Sequence, residues 1–82
     1  MEIVWDERKR LANIEKHGLD FADLTLEFFQ AALIRKAELG RLQAIGRLAD
    51  GKVSVIFATL GAEGLSLISM RPARLQERRL IG

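Results

Sequence analysis

The sequence predicts an α+β fold: an antiparallel β-sheet with two N-terminal helices packed on one face and a short C-terminal helix. Three observations carry that prediction. Helical spacing of apolar residues fills residues 7–31, strand-like segments follow, and glycine-bearing turn signals at Leu39-Gly40, Asp50-Gly51 and Gly61–Gly64 separate them. With 82 residues, the chain has room for one domain, 1–82, and none for a second.

In chain order, Ile3, Val4 and Trp5 favour a strand over Glu2–Trp5. Asp6 stands where an N-cap belongs, and Glu7 adds negative charge to the first turn of a helix over Glu7–His17. Its buried face should carry Leu11, Ala12 and Ile14. Gly18 occupies the C′ position, where a left-handed backbone is cheap only for glycine. Asp20 opens a second helix with Phe21, Leu24 and Phe28 inward, ending near Phe29 to Ala31. Leu33 to Glu38 reads either as a strand or as a continuation of that helix, because its residues are also helix formers. Arg41 to Ala49 and Lys52–Leu60 form two strands joined at Asp50-Gly51, a strong hairpin signal. Leu65–Met70 is the last strand, Pro72 ends it, and Ala73–Leu80 is a short basic helix. The resulting order is β-α-α-β-β-β-α.

Composition excludes several classes. A 49% hydrophobic content is too high for a disordered chain. No apolar run approaches the ~20 residues of a membrane span, and no signal peptide is visible, so a cytoplasmic protein without membrane association is expected. There is no Cys and only one His, so a structural zinc would need carboxylates for every other ligand; no metal and no cofactor is expected. Charge is uneven: residues 1–30 carry four basic and seven acidic side chains, residues 31–82 nine basic and four acidic. A basic half suits an anionic partner such as nucleic acid, and equally a solvated surface.

Most catalytic templates are absent: no Gly-rich phosphate loop, no nucleophile elbow, no metal-ligand spacing. Ser54, Ser66 and Ser69 lie in strands with no base beside them and read as structural. Three groupings remain. Lys9, Lys16 and His17 fall along one side of the first helix, and imidazole is the natural proton-transfer group near neutrality. A cation complementing the helix C-terminus explains His17 as well. Arg35, Arg41 and Arg47 lie on neighbouring strand segments, Arg41 and Arg47 sharing a face with Gln43, which would line a phosphate groove or a solvated sheet face. Arg71 ends a strand, placed either to stabilise charge at a reacting phosphate or to pair with Glu77.

These residues fall within longer motifs. Trp5-Asp6-Glu7-x-Lys9, Asn13, Lys16-His17-Gly18 and Phe21 resemble the opening of the BrnT toxin family. Arg41-x4-Gly46 is similar to a central element of that family, and Ile68-Ser69-Met70-Arg71-Pro72-Ala73 followed by Glu77-Arg78-Arg79 resembles its closing signature. The chain departs from the family pattern at Thr59-Leu60-Gly61, where many members carry an Arg, and at Ile81, commonly a Tyr.

The resemblance implies a RelE-like fold and a metal-independent ribonuclease toxin that blocks translation. It also implies a BrnA-type antitoxin as partner, with operator DNA reached only through that antitoxin. The RNA's own 2′-hydroxyl would be the nucleophile. His17 is then expected to transfer protons, Arg41 and Arg71 to hold the scissile phosphate, and Lys9, Lys16 and Arg47 to bind RNA. Strand 52–60 is apolar on both faces, so its second face, with Ile56, Ala58 and Leu60, lacks a cover within the chain. A largely helical antitoxin is expected over Ile56 and Leu60.

Overall fold

The computed structural model describes residues 1–49 and 51–82, and the fold is α+β as the sequence predicts. The strands are β1 (Glu2–Trp5), β2 (Leu33–Lys36), β3 (Leu42–Leu48), β4 (Gly51–Leu60) and β5 (Gly64–Pro72). The helices are α1 (Glu7–His17), α2 (Leu26–Ala31) and α3 (Leu75–Leu80). The sheet runs β1-β5-β4-β3-β2. From β2 to β5 it is an antiparallel meander, but β1 pairs with β5 in parallel, so the sheet is mixed rather than antiparallel throughout. Parallel neighbours need a long crossover, and here everything from α1 to β4 supplies it.

Local chemistry sets the element ends. Asp6 accepts the Arg8 N–H at 2.8 Å, and Gly18 closes α1 with φ +69°, its N–H reaching the Ile14 carbonyl at 2.7 Å. The second helix divides. A short turn over Phe21–Asp23 is capped by Asp20, then Thr25 caps α2 by accepting the Phe28 N–H at 3.2 Å. Leu24 between them is extended and buried, so the hydroxyl cap starts a fresh helix instead of letting the first turn continue. Leu33–Lys36 is a strand, which excludes the continued helix. The β2–β3 turn places Leu39 and Gly40 in the left-handed region, at φ 60° and 73°. At the next hairpin Gly51 already pairs with Leu48 and the positive φ falls on Ala49; Asp50 of the expected Asp-Gly turn lies outside the described residues.

The core face of the sheet carries Ala44, Val53, Val55, Phe57, Leu65, Leu67 and Met70, packed beneath Phe21, Leu24 and Phe28. Trp5 meets Phe21 edge-on at 6.3 Å. Gly46 is required by this packing, because a Cβ there would lie 2.9 Å from the Phe28 ring. Helix α1 departs from expectation: Leu11 is 54% exposed, Ala12 is exposed, and the one buried residue is Asn13. Pairing of β1 with β5 stops at Leu67, so α1 runs on past it along β5, where backbone groups lack a strand partner. Asn13 supplies that partner, accepting the Met70 N–H at 3.0 Å and donating to the Leu19 carbonyl at 3.0 Å. The helix is anchored by a polar side chain rather than by an apolar stripe.

The second face carries Gln43, Ile45, Arg47, Ser54, Ile56, Ala58, Ser69 and Arg71, alternating with the core residues. Helix α3 lies over one half of it. Glu77, its one buried residue, receives both arms of the Arg71 fork at 2.7 and 2.8 Å, the Gln43 amide at 2.8 Å and the Arg74 N–H at 2.9 Å. Gln43 in turn donates to Ser54 at 2.7 Å and accepts from Arg35 at 2.7 Å. Arg47 reaches the Ile81 and Gly82 oxygens at 2.7 and 3.0 Å. Ile45, between Gln43 and Arg47, is fully buried.

The Arg71 fork, the Arg74 N–H and the Gln43 amide outweigh burial and pull the Glu77 carboxyl from an ordinary 4.5 down to about 2. Because the folded-state value is lowered, the stabilisation is complete above about pH 4.5 and is lost as pH falls toward 2. We expect Glu77→Gln to lower stability at pH 7 by about 2–4 kcal/mol, since it leaves Arg71 without its counter-charge. Urea midpoints measured from pH 7 to pH 2 should fall less steeply below pH 4.5 in the variant than in the parent. Parallel acid limbs would show that Glu77 is not the group that titrates.

Candidate functional site

The motif residues separate by whether the fold already uses them. Trp5 packs on Phe21, its indole N–H donates to Glu7 at 3.2 Å, and Glu7 also accepts from Arg10. Those contacts hold the Glu7 carboxyl below the usual carboxylate range, the Arg10 bonds contributing most. Asp20 is lowered too, first by the Ala22 N–H and then by Arg10. Asp6, Asn13, Gly18, Phe21, Gly46, Arg71 and Glu77 all have the structural duties described above. Lys9, Lys16 and His17 have none: among the described residues no hydrogen bond or ion pair engages their side chains.

Those three side chains line one shallow depression of about 200 Å³, with Ala12, Asn13, Ile68 and Ser69 completing its wall. Lys9 and Lys16 are exposed and His17 is half-buried. The helix supplies the cations and the imidazole from one side, and β5 supplies Ser69 from the other. Ser69 is the residue that sequence reasoning set aside. Ser54 is indeed buried and bonded to Gln43, whereas Ser69 is exposed at the depression. Its signal in the sequence was only its place inside the closing motif.

The arginines are arranged differently from His17. Arg71 lies on the same face two residues beyond Ser69, but both arms of its guanidinium are engaged by Glu77, which raises its pKa further. Arg41 immediately precedes β3 with an extended backbone, so alternation puts it on the second face with Gln43. By register it stands two strands and four residues from Arg71, about 16 Å at the usual strand spacings. That is a separation of backbones, so the two long side chains would have to lean toward each other to share one phosphate, whereas successive phosphates of a strand match the spacing directly. Arg47 is exposed but occupied by the Ile81 and Gly82 oxygens. Among the described residues no three His, Cys, Asp or Glu side chains group closely enough to hold a metal ion.

Ile56 and Ala58 are half-buried on the second face, and Leu60 is 52% exposed. Val4, 37% exposed, joins them across Ser66 in the same row. This apolar strip occupies the half of the face that α3 leaves open. The depression with His17 opens at its border, through Ser69, which pairs with Ile56.

No helix is long and apolar enough to cross a membrane. A search of curated proteins returned no match. Residues 5–77 match a family model described as "Ribonuclease toxin, BrnT, of type II toxin-antitoxin system". Among solved structures, the crystal structure of the Brucella abortus ribonuclease toxin BrnT is 52% identical, with a TM-score of 0.85 over 90% of this chain and 97% of that one. The family match runs from Trp5 in β1 to Glu77 in α3, from the first motif block into the last and across the depression itself, and the chain belongs to the BrnT family of ribonuclease toxins of type II toxin–antitoxin systems.

Proposed function

We propose that this chain is a cytoplasmic toxin that cleaves RNA without a metal ion and so inhibits translation, until a BrnA-type antitoxin binds it. The observation that carries the reading is the convergence of Lys9, Lys16 and His17, three motif side chains without a structural duty, on one depression. Cleavage proceeds by attack of a ribose 2′-oxygen on the adjacent phosphorus. The 2′-proton goes to a base, the P–O5′ bond breaks, and the leaving oxygen takes up a proton. His17 is the group that exchanges protons there. Lys9 and Lys16 hold the phosphate and offset the charge that builds on it. Arg41 binds a phosphate further along the strand, as does Arg47 once freed from the C-terminal oxygens. Arg71 offers the scissile phosphate only the N–H groups that Glu77 and the Pro72 carbonyl leave over, unless its pairing with Glu77 loosens.

That pairing, with the departures at Gly61 and Ile81, also favours a second reading. In it the chain has weakened catalysis and serves chiefly as the antitoxin's partner in operon autoregulation, the operator being contacted by the antitoxin. On either reading the antitoxin covers Ile56 and Leu60, the exposed apolar strip of the second face. Lying beside the depression, it would also close the approach for RNA.

Two experiments test these proposals. His17→Gln should lower RNA cleavage by about 10²–10⁴-fold with fold and antitoxin binding intact, and Lys16→Ala should weaken RNA binding and reduce the salt slope by about one. Cleavage by His17→Gln at the parent rate would remove His17 from the chemistry. Parent chain that leaves RNA intact yet binds antitoxin would favour the second reading. For the antitoxin surface, Leu60→Asp and Ile56→Asp should abolish co-purification with the antitoxin. Leu60→Asp should do so with unchanged melting, because Leu60 already faces solvent. Full complex formation by Leu60→Asp would place the antitoxin elsewhere.

A further inference from the structure

The register of β5 against β4 is regular from Pro72 to Ser69, then jumps: Ile56 pairs with Ser69, and Phe57 with Leu67. Ile68 is the extra residue of a β-bulge. Its effect is a change of parity. Leu65 and Leu67 point into the core, so an unbroken strand would send Ser69 and Arg71 there as well. The bulge instead buries Met70 completely and turns Ser69 and Arg71 to the second face.

The two residues after Ser69 are then locked. The Met70 N–H is held by Asn13 at 3.0 Å, and the Arg71 fork by Glu77 at 2.7 and 2.8 Å. Ser69 between the bulge and these anchors is exposed, and among the described residues its hydroxyl makes no hydrogen bond. It lines the same depression as Lys9, Lys16 and His17. A rigidly presented, unbonded hydroxyl beside two lysines has the chemistry of a phosphate contact: it donates one hydrogen bond to a non-bridging oxygen and adds direction to the point charges of the lysines.

We propose that Ser69, turned outward by the bulge at Ile68, donates a hydrogen bond to the RNA phosphate held by Lys9 and Lys16. The proposal rests on the RNA-cleaving reading of the depression and adds a substrate-contact residue to it. A hydrogen bond to a charged group is lost without any change in the number of counterions released, so removing Ser69 and removing a lysine leave different signatures.

The test uses the full chain and a single-stranded RNA in which the 2′-hydroxyls are replaced by 2′-deoxy positions, so that binding is read without cleavage. Ser69→Val should bind about 10- to 100-fold more weakly with the parent's salt slope, while Ser69→Thr, which restores the hydroxyl on the same branched frame, should bind as the parent does. Lys16→Ala should weaken binding and lower the slope. Melting temperatures of both Ser69 variants should match the parent, as expected at an exposed strand position. Parent-like affinity of Ser69→Val with a weakened Lys16→Ala would overturn the Ser69 contact and leave the RNA reading standing. Parent-like binding by both would overturn the two together.

Discussion

The second face of the sheet depends on one buried carboxylate. Glu77 is the buried residue of α3, while Leu75 and Leu80 on the same helix remain exposed, so the helix is seated by polar chemistry rather than by apolar area. A buried carboxylate in isolation would be costly; this one accepts four hydrogen bonds, two from a guanidinium fork, and its partner Gln43 is itself satisfied through Ser54 and Arg35. No buried side-chain polar atom among the described residues is left without a partner. Such a network fixes geometry more than it adds stability, because its Coulombic gain is set against the desolvation of both charges. What it fixes is the position of α3, the direction of Arg71 and hence the half of the face that stays open.

Asn13 plays the matching role for α1. A short helix with Leu11 and Ala12 turned to solvent has little apolar area with which to hold a position. Its amide instead completes the hydrogen bonding of β5 just where β1 runs out, and ties in the Leu19 carbonyl behind the helix. Everything that α1 offers on its outer side, Lys9, Lys16 and His17 included, is therefore referenced to the backbone of β5. The bulge at Ile68 sits two residues from the Asn13 contact at Met70 and three from the anchor at Arg71, so helix and strand are set against each other by the same few bonds.

The fold was largely legible because its punctuation is local: Asp6 and Gly18 bound α1, glycines mark the turns, and Val53, Val55 and Phe57 alternate into the core. What could not be read needed long-range knowledge. The parallel pairing of β1 depends on residues some sixty positions later, and the inward face of α1 is polar because of a vacancy at a strand edge, which no periodicity reports. The split of the second helix rested on Thr25, a cap inside an otherwise helical run. For the site, the sequence offered the Arg71–Glu77 pairing as one of two readings of Arg71, and the structure shows that pair formed; the backbone separation of about 16 Å between Arg41 and Arg71 depends on strand register and could not be read. Ser69 was read as structural because no base stands beside it in the sequence, and the bulge that turns it to the second face leaves no mark there.

The same parity change explains why structural and unassigned motif residues interleave so closely. Along Ile68-Ser69-Met70-Arg71, a regular strand would alternate between core and surface in step with Leu65 and Leu67, and Met70 would be surplus on the outer face. With one residue inserted, Met70 fills the core, Arg71 reaches Glu77 and Ser69 meets α1. Moving any one of the three back would displace the other two, so the motif is held together by register before any chemistry is considered. A run of this kind is therefore weak as a roll of catalytic residues and informative as a whole. The residues that the register explains can be subtracted, and the exposed side chains that remain on its border with α1 are the ones that function has to account for.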